Sequence, residues 1–111
     1  MRQHITVNQL NELSEKGKYK LNLFTKGKYK EYDKWISIPY NSSDKVNFIG
    51  LPVLSIGQLI EFLDKHLSRR IVIEEIPDNW VFDLIGIPPQ KFVEPELCDA
   101  LWKAVKEVLE I

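Results

Sequence analysis

Apolar residues recur at helical spacing in three stretches of the chain, and each stretch opens on a start signal. Thr6-Val7-Asn8-Gln9 has the capping-box spacing, a hydroxyl at the cap and an amide three residues on, with Ile5 and Leu10 at the two positions of a hydrophobic staple. Leu10 and Leu13 extend the stripe, which predicts a helix over about 6–16, ending near Ser14 to Gly17. Ser55-Ile56-Gly57-Gln58 repeats the device with Leu54 and Leu59 as the staple, and Ile56, Leu59, Ile60, Leu63 and Leu67 predict an amphipathic helix over 55–67. A third helix is predicted over 95–110. Pro95 suits its first turn, and Glu94, Glu96 and Asp99 suit the positive end of its dipole. Leu97, Leu101, Val105 and Val108 form its stripe, widened by Cys98, Trp102 and Leu109.

Between the helices the spacing changes to that of strands. Residues 71–76 and 80–85 are β-rich runs on either side of Pro77-Asp78-Asn79, which predicts a hairpin. Residues 35–40 and 46–49 flank Asn41-Ser42-Ser43-Asp44 and predict another, with Pro39 placing its strand at a sheet edge. Ile87-Pro88-Pro89-Gln90 reads as a connecting loop. Residues 16–34 support two readings. Tyr19, Leu21 and Leu23 alternate as a strand would, whereas Leu13, Leu21 and Phe24 share a helical face that Gly17 weakens. The string Lys-Gly-Lys-Tyr-Lys occurs there twice, at 16–20 and 26–30, too short a match for a repeat architecture. The expectation is a single globular α+β domain over 1–111, three main helices (about 6–16, 55–67 and 95–110) packed with short antiparallel β-hairpins.

Composition supports a folded chain: 44% of residues are hydrophobic and 28% charged. One cysteine, Cys98, excludes an intramolecular disulfide. The first residues lack the apolar run of a signal peptide, and no window has the 18 or more apolar residues of a membrane span, so a reducing cytoplasm is the expected compartment. The net charge of −1 conceals a basic half and an acidic half. Residues 1–50 carry nine Lys/Arg against five Asp/Glu, and residues 51–111 carry six against eleven. Such asymmetry favours complementary contacts, within the fold or with a partner.

The residues offer little for catalysis. His4 and His66 are far apart, and with one cysteine they make no standard zinc set. Cys98 lies beside an apolar helical stripe and reads as a buried, inert thiol. Glu74 and Glu75 point to opposite faces of a strand, and the five glycines match no phosphate-binding loop. No cofactor is expected, and an enzyme is not. The remaining signal is 16–34, where seven lysines are interleaved with Tyr19, Phe24, Tyr29 and Tyr32. Lys18, Tyr19, Lys20, Lys28, Tyr29 and Lys30 are therefore candidate contacts for a partner or an anion, since ammonium groups neutralise phosphates and aromatic faces stack on bases. Trp80, beside the turn at Asp78-Asn79, is the candidate aromatic for a protein interface.

The run from Leu51 to Leu63, the ending Glu96 to Val105 and the opening Ile5 to Leu10 resemble segments of small uncharacterised phage and prophage proteins of low-GC Gram-positive bacteria. The shared motifs are caps and apolar stripes, so the resemblance implies a context and no chemistry. Small phage accessory proteins act by binding. The resemblance therefore implies a non-enzymatic accessory protein in the host cytoplasm that binds a host or defence protein. Nucleic-acid binding through 16–34 and sequestration of a small nucleotide signal are the alternatives.

Overall fold

Helix α4 (Leu97–Leu109) is the element around which the others are arranged, in a computed structural model that describes residues 2–42, 45–66, 70–85 and 90–110. The remaining elements are α1 (Val7–Asn11), α2 (Glu15–Thr25), a 3-10 turn (Tyr29–Glu31), β1 (Trp35–Ser42), β2 (Lys45–Pro52), α3 (Ile56–His66), β3 (Arg70–Ile76), β4 (Asn79–Ile85) and β5 (Gln90–Glu94). β1 and β2 form an antiparallel hairpin, and β3-β4-β5 form an antiparallel meander. The class is α+β, with four α-helices among the described residues. None of those helices is long and apolar enough to cross a membrane.

Leu97, Cys98, Leu101, Trp102, Val105 and Leu109 of α4 are buried together with Ala100 and Ala104. The apolar surface therefore runs most of the way around the helix, and neighbours cover it on several sides. α3 packs on one side through Leu59, Phe62 and Leu63, and β4 and β5 pack on another through Phe82 and Phe92. The two alanines keep the α4 backbone close to its neighbours. α4 begins at Leu97 with Glu96 at the cap, so Pro95 precedes the helix instead of lying in its first turn.

Both capping boxes form as the spacing requires. Thr6 Oγ1 accepts from the Gln9 N–H at 3.1 Å, and Gln9 Oε1 accepts from the Thr6 N–H at 2.9 Å. The Ser55–Gln58 pair does the same at 3.2 and 2.9 Å. The expected 55–67 helix spans Ile56–His66 with Ser55 outside it, and Leu67 lies outside the described residues.

The expected helix over 6–16 is corrected. α1 ends at Asn11, and a new helix starts at Glu15 with Ser14 as its cap, the Ser14 hydroxyl accepting from the Gly17 N–H at 3.1 Å. The strand reading of 18–24 is overturned with it. On α2, Leu21 faces inward while Tyr19 and Leu23 face out, and Gly17, Lys18 and Thr25 are the buried company of Leu21. Polar residues inside and apolar ones outside invert the usual pattern, which is why hydrophobicity alone did not separate the readings.

Gly17 has a packing reason. The Glu110 carboxylate, at the end of α4, accepts from the Ser14 N–H at 2.9 Å and from the Ser14 hydroxyl. It occupies the space a Cβ on residue 17 would enter, with Leu13 also close at 3.3 Å. A carboxylate there also complements the positive end of α2.

The first hairpin is longer than expected, and its turn residues Ser43 and Asp44 lie outside the described residues. In the second, Ile76 pairs with Asn79 across Pro77-Asp78, with Asp78 at φ 64°, the backbone of a type II turn. Gln90, expected in a loop, starts β5, and Ile87 to Pro89 lie outside the described residues. β5 has only five residues directly after two prolines, so it carried too little alternation to be read as a strand.

α2 straddles the first hairpin. Lys18 Nζ donates to the Pro39 carbonyl at 2.9 Å, Glu15 Oε2 accepts from the Asn41 N–H at 2.6 Å, and Asn22 Nδ2 donates to the Gly50 carbonyl at 3.2 Å. Pro39 does sit on an edge strand, and that edge is closed by a helix.

Alanine is favoured over glycine inside a helix by about 1 kcal/mol. In Gly17→Ala that gain is expected to vanish or reverse, because the new methyl displaces the Glu110 carboxylate from Ser14. With Glu110→Ala already present, Gly17→Ala should stabilise by about 0.5–1 kcal/mol. Urea denaturation of the two single variants and the double variant reads this directly, and additive effects would refute the contact.

Candidate functional site

The C-terminal half of α2, the end of α3 and the end of α4 enclose an apolar cleft of about 480 Å³. Leu23 and Phe24 come from α2, Phe62 and His66 from α3, and Val108 and Leu109 from α4, with Lys20 on the α2 side. Each residue arrives through helical spacing. Phe62 and His66 are one turn apart on α3, as are Lys20 and Phe24 on α2, so each pair lies on one face.

The aromatic rings hold one wall of the cleft together. Phe24 meets Phe62 edge-on at 4.8 Å between centroids and meets His66 at 4.5 Å, while Phe62 and His66 are 4.4 Å apart. Lys28 Nζ lies 4.6 Å from the centre of the Phe24 ring, a cation–π contact. Leu23 is 51% exposed and Tyr19, one turn earlier on α2, is 50% exposed, so the apolar surface continues outward along the helix. No carboxylate lines the cleft among the described residues.

The electrostatics of the cleft are visible in His66. Burial holds its imidazole below the usual value, and the neighbouring Lys28 and Lys65 push the same way. The ring is therefore neutral at neutral pH. Lys65 is itself tied to Glu61 at 2.9 Å.

The candidate residues named from sequence disperse. Lys18 is buried against the hairpin, paired with Glu15 at 3.4 Å and bonded to Pro39, so it faces away from any partner. Lys20 and Lys28 reach the cleft, Tyr19 extends it, and Lys30 is exposed beyond it. The Tyr29 backbone opens the 3-10 turn, and its side chain lies outside the described residues. Trp80 is half-buried against the core, with Glu75 and Glu94 beside it on the neighbouring strands, and is no part of the cleft. Leu23, Phe62, Val108 and Leu109 carry no site signal in the sequence, and the sequence raises His66 only in connection with metal binding. The one available signal was outward-facing Tyr19 and Leu23 on a helix, legible only once 15–25 is known to be helical.

Two other places bear on chemistry. Burial pushes the Cys98 thiol up despite the nearby Arg2, so its thiolate is scarce. A polar recess of about 390 Å³ near α1 contains Arg2, Gln9, Glu94, Asp99 and Lys103. Its charges answer one another: Arg2 pairs with Asp99, Lys103 with Glu94, and Gln9 Nε2 donates to Asp99 at 2.7 Å. Among the described residues no group of three or more His, Cys, Asp or Glu is placed to hold a metal ion.

Because the folded value of His66 lies below the unfolded one, the unfolded chain binds this proton more readily. The contribution of His66 to stability is whole above about 6.5 and declines as pH falls from there toward the folded value. NMR titration of the imidazole should give a midpoint below 6.5, and Lys28→Gln should move it upward. A midpoint at the ordinary value, unmoved by that substitution, would contradict the placement of His66. No protein-family model, curated protein or solved structure matches this chain.

Proposed function

We propose that this chain is a non-enzymatic binding protein that seats an apolar, acid-flanked segment of a partner protein in the cleft between α2, α3 and α4. The observation that carries the reading is the composition of the cleft: apolar and aromatic walls, Lys20 and Lys28 at the margin, and no carboxylate among the described lining residues. An apolar anchor with acidic neighbours satisfies both features, the anchor by leaving water and the acids by meeting Lys28 beside the Phe24 ring. Exposed Leu23 and Tyr19 widen the contact. In the accessory-protein context implied by the resemblance, the partner is a host or defence protein.

Nucleic-acid binding gains less from the structure. It needs the lysines of 16–34 to track a phosphate backbone together, and Lys18 is committed to Pro39 and Glu15 inside the fold.

Selection of displayed random peptides on the immobilised chain tests the reading. The expected outcome is enrichment of sequences with an aromatic or aliphatic anchor flanked by Asp or Glu. Binding of those peptides should fall at least about tenfold in Leu23→Asp and in Lys28→Glu, a loss of the order expected for a hot-spot contact. Peptides unaffected by both substitutions would overturn the assignment of the cleft. Salt-sensitive binding of oligothymidine with no peptide enrichment would replace it with the nucleic-acid reading.

A further inference from the structure

Val46 and Phe48 are the most exposed large apolar residues described, at 68% and 70%, and both lie on β2. The hydrogen bonding of the hairpin gives their position a consequence. In an antiparallel pair, residues directly opposite one another either exchange both backbone bonds or exchange none, in alternation. Val53 N–H donates to the Lys34 carbonyl at 2.9 Å, just beyond the Trp35–Pro52 pair, so by alternation the Pro39–Phe48 pair exchanges none, which suits a residue with no N–H. By alternation neither does Asn41–Val46. The bonds from α2 agree, because the Pro39 carbonyl and the Asn41 N–H are taken by Lys18 and Glu15 and so point away from β2. The N–H and C=O of Val46 and Phe48 therefore point away from β1, along an edge that no described strand occupies.

The two edges of the hairpin are treated differently. The β1 edge carries a proline and is closed by α2. The β2 edge carries neither device between Lys45 and Ile49: α2 packs against both strands, and its described bond to the outer backbone of β2 is the one from Asn22 to the Gly50 carbonyl. Unprotected edges with apolar side chains recruit strands.

The geometry points to a second copy of this chain as the occupant, with β2 pairing antiparallel to β2 about a twofold axis at Asn47. In that register Val46 lies opposite Phe48 of the second copy, and the reverse, and the four outward-pointing pairs of N–H and C=O groups on the two strands are matched. The two valines and two phenylalanines share one face, forming the aromatic and β-branched cross-strand pairs that stabilise sheets. Asn47 meets Asn47 of the second copy, so amide faces amide. Lys45, the only charge on β2, falls opposite Ile49 of the second copy, so no like charges meet. The Gly50 carbonyls keep their bonds to Asn22, because the pairing ends before them. So short an edge buries less than the roughly 1,200 Å² of stable complexes, and the dimer is a weak one that forms at high concentration.

Sedimentation equilibrium from about 10 μM to about 1 mM, the range in which so small an interface associates, tests this in the full chain. The expected result is a mass rising toward that of two chains, with exchange of the Val46 and Phe48 amides slowing as concentration rises. Phe48→Asp should stay monomeric. Val46→Pro removes an edge donor without touching the β1–β2 bonds and should also stay monomeric. Leu23→Asp, in the cleft, should dimerise as the unaltered chain does. A chain monomeric throughout would overturn the proposal and leave the edge to a foreign strand. Dimers that persist in Phe48→Asp or Val46→Pro would overturn it as well, as would dimers lost in Leu23→Asp.

Discussion

The contact of α4 with the layers on either side of it is the constraint from which the rest of the structure follows. Trp102, Leu101 and Val105 are almost completely removed from water, and each such side chain contributes about 1.5–3 kcal/mol or more relative to an exposed one. A helix apolar over most of its circumference cannot lie on the surface of a sheet. It requires α3 on one side and the β3–β5 meander on another, and Phe82 and Phe92, 6.1 Å apart, supply the meander's share. The end of α4 has a second task, because Glu110 caps α2 and dictates a glycine at 17.

α2 is the joint between this core and the first hairpin, and its sequence bears the marks of two obligations. Toward the hairpin it needs polar groups that can reach backbone, which is why Lys18 is buried with its ammonium on a carbonyl and Asn22 reaches Gly50. Toward α3 and α4 it needs Leu21 inside and Phe24 at the border. What is left over faces water as Tyr19 and Leu23. Their exposure adjoins the cleft where Phe24 meets Phe62 and His66 edge-on. Structure and proposed function thus diverge on one helix: the polar residues are used internally and the apolar ones are offered outward.

The same division separates the two apolar surfaces of the molecule. The cleft is concave, bordered by cations and built by three helices, which suits an apolar anchor with acidic flanks. The β2 edge is uncharged apart from Lys45, and it presents backbone groups in strand spacing, which suits another strand. One hairpin edge is closed by Pro39, Glu15 and Lys18, so the openness of the other is a local choice of sequence and no general property of the hairpin.

The caps, the staples and the stripe of α4 were legible in the sequence because each is local: the spacing of Thr6 and Gln9, or of Leu97, Leu101 and Val105, contains the whole physical argument. Both hairpins were legible for the same reason, as was Pro39 on an edge. The break at Asn11 and the helix over Glu15–Thr25 were not. They depend on Glu110, nearly a hundred residues away, filling the space beside Gly17, and on a hairpin that accepts Lys18. The candidate site was legible only as a bias toward lysine and aromatics in 16–34. Which of those lysines turn inward, and that Phe24 meets Phe62 and His66, was decided by how α2 crosses α3 and α4. By itself the sequence determined where helices start, which faces are apolar and that the chain folds as α+β. Only the tertiary structure decided which apolar residues remain outside, because exposure belongs to the packing of elements and not to any one of them.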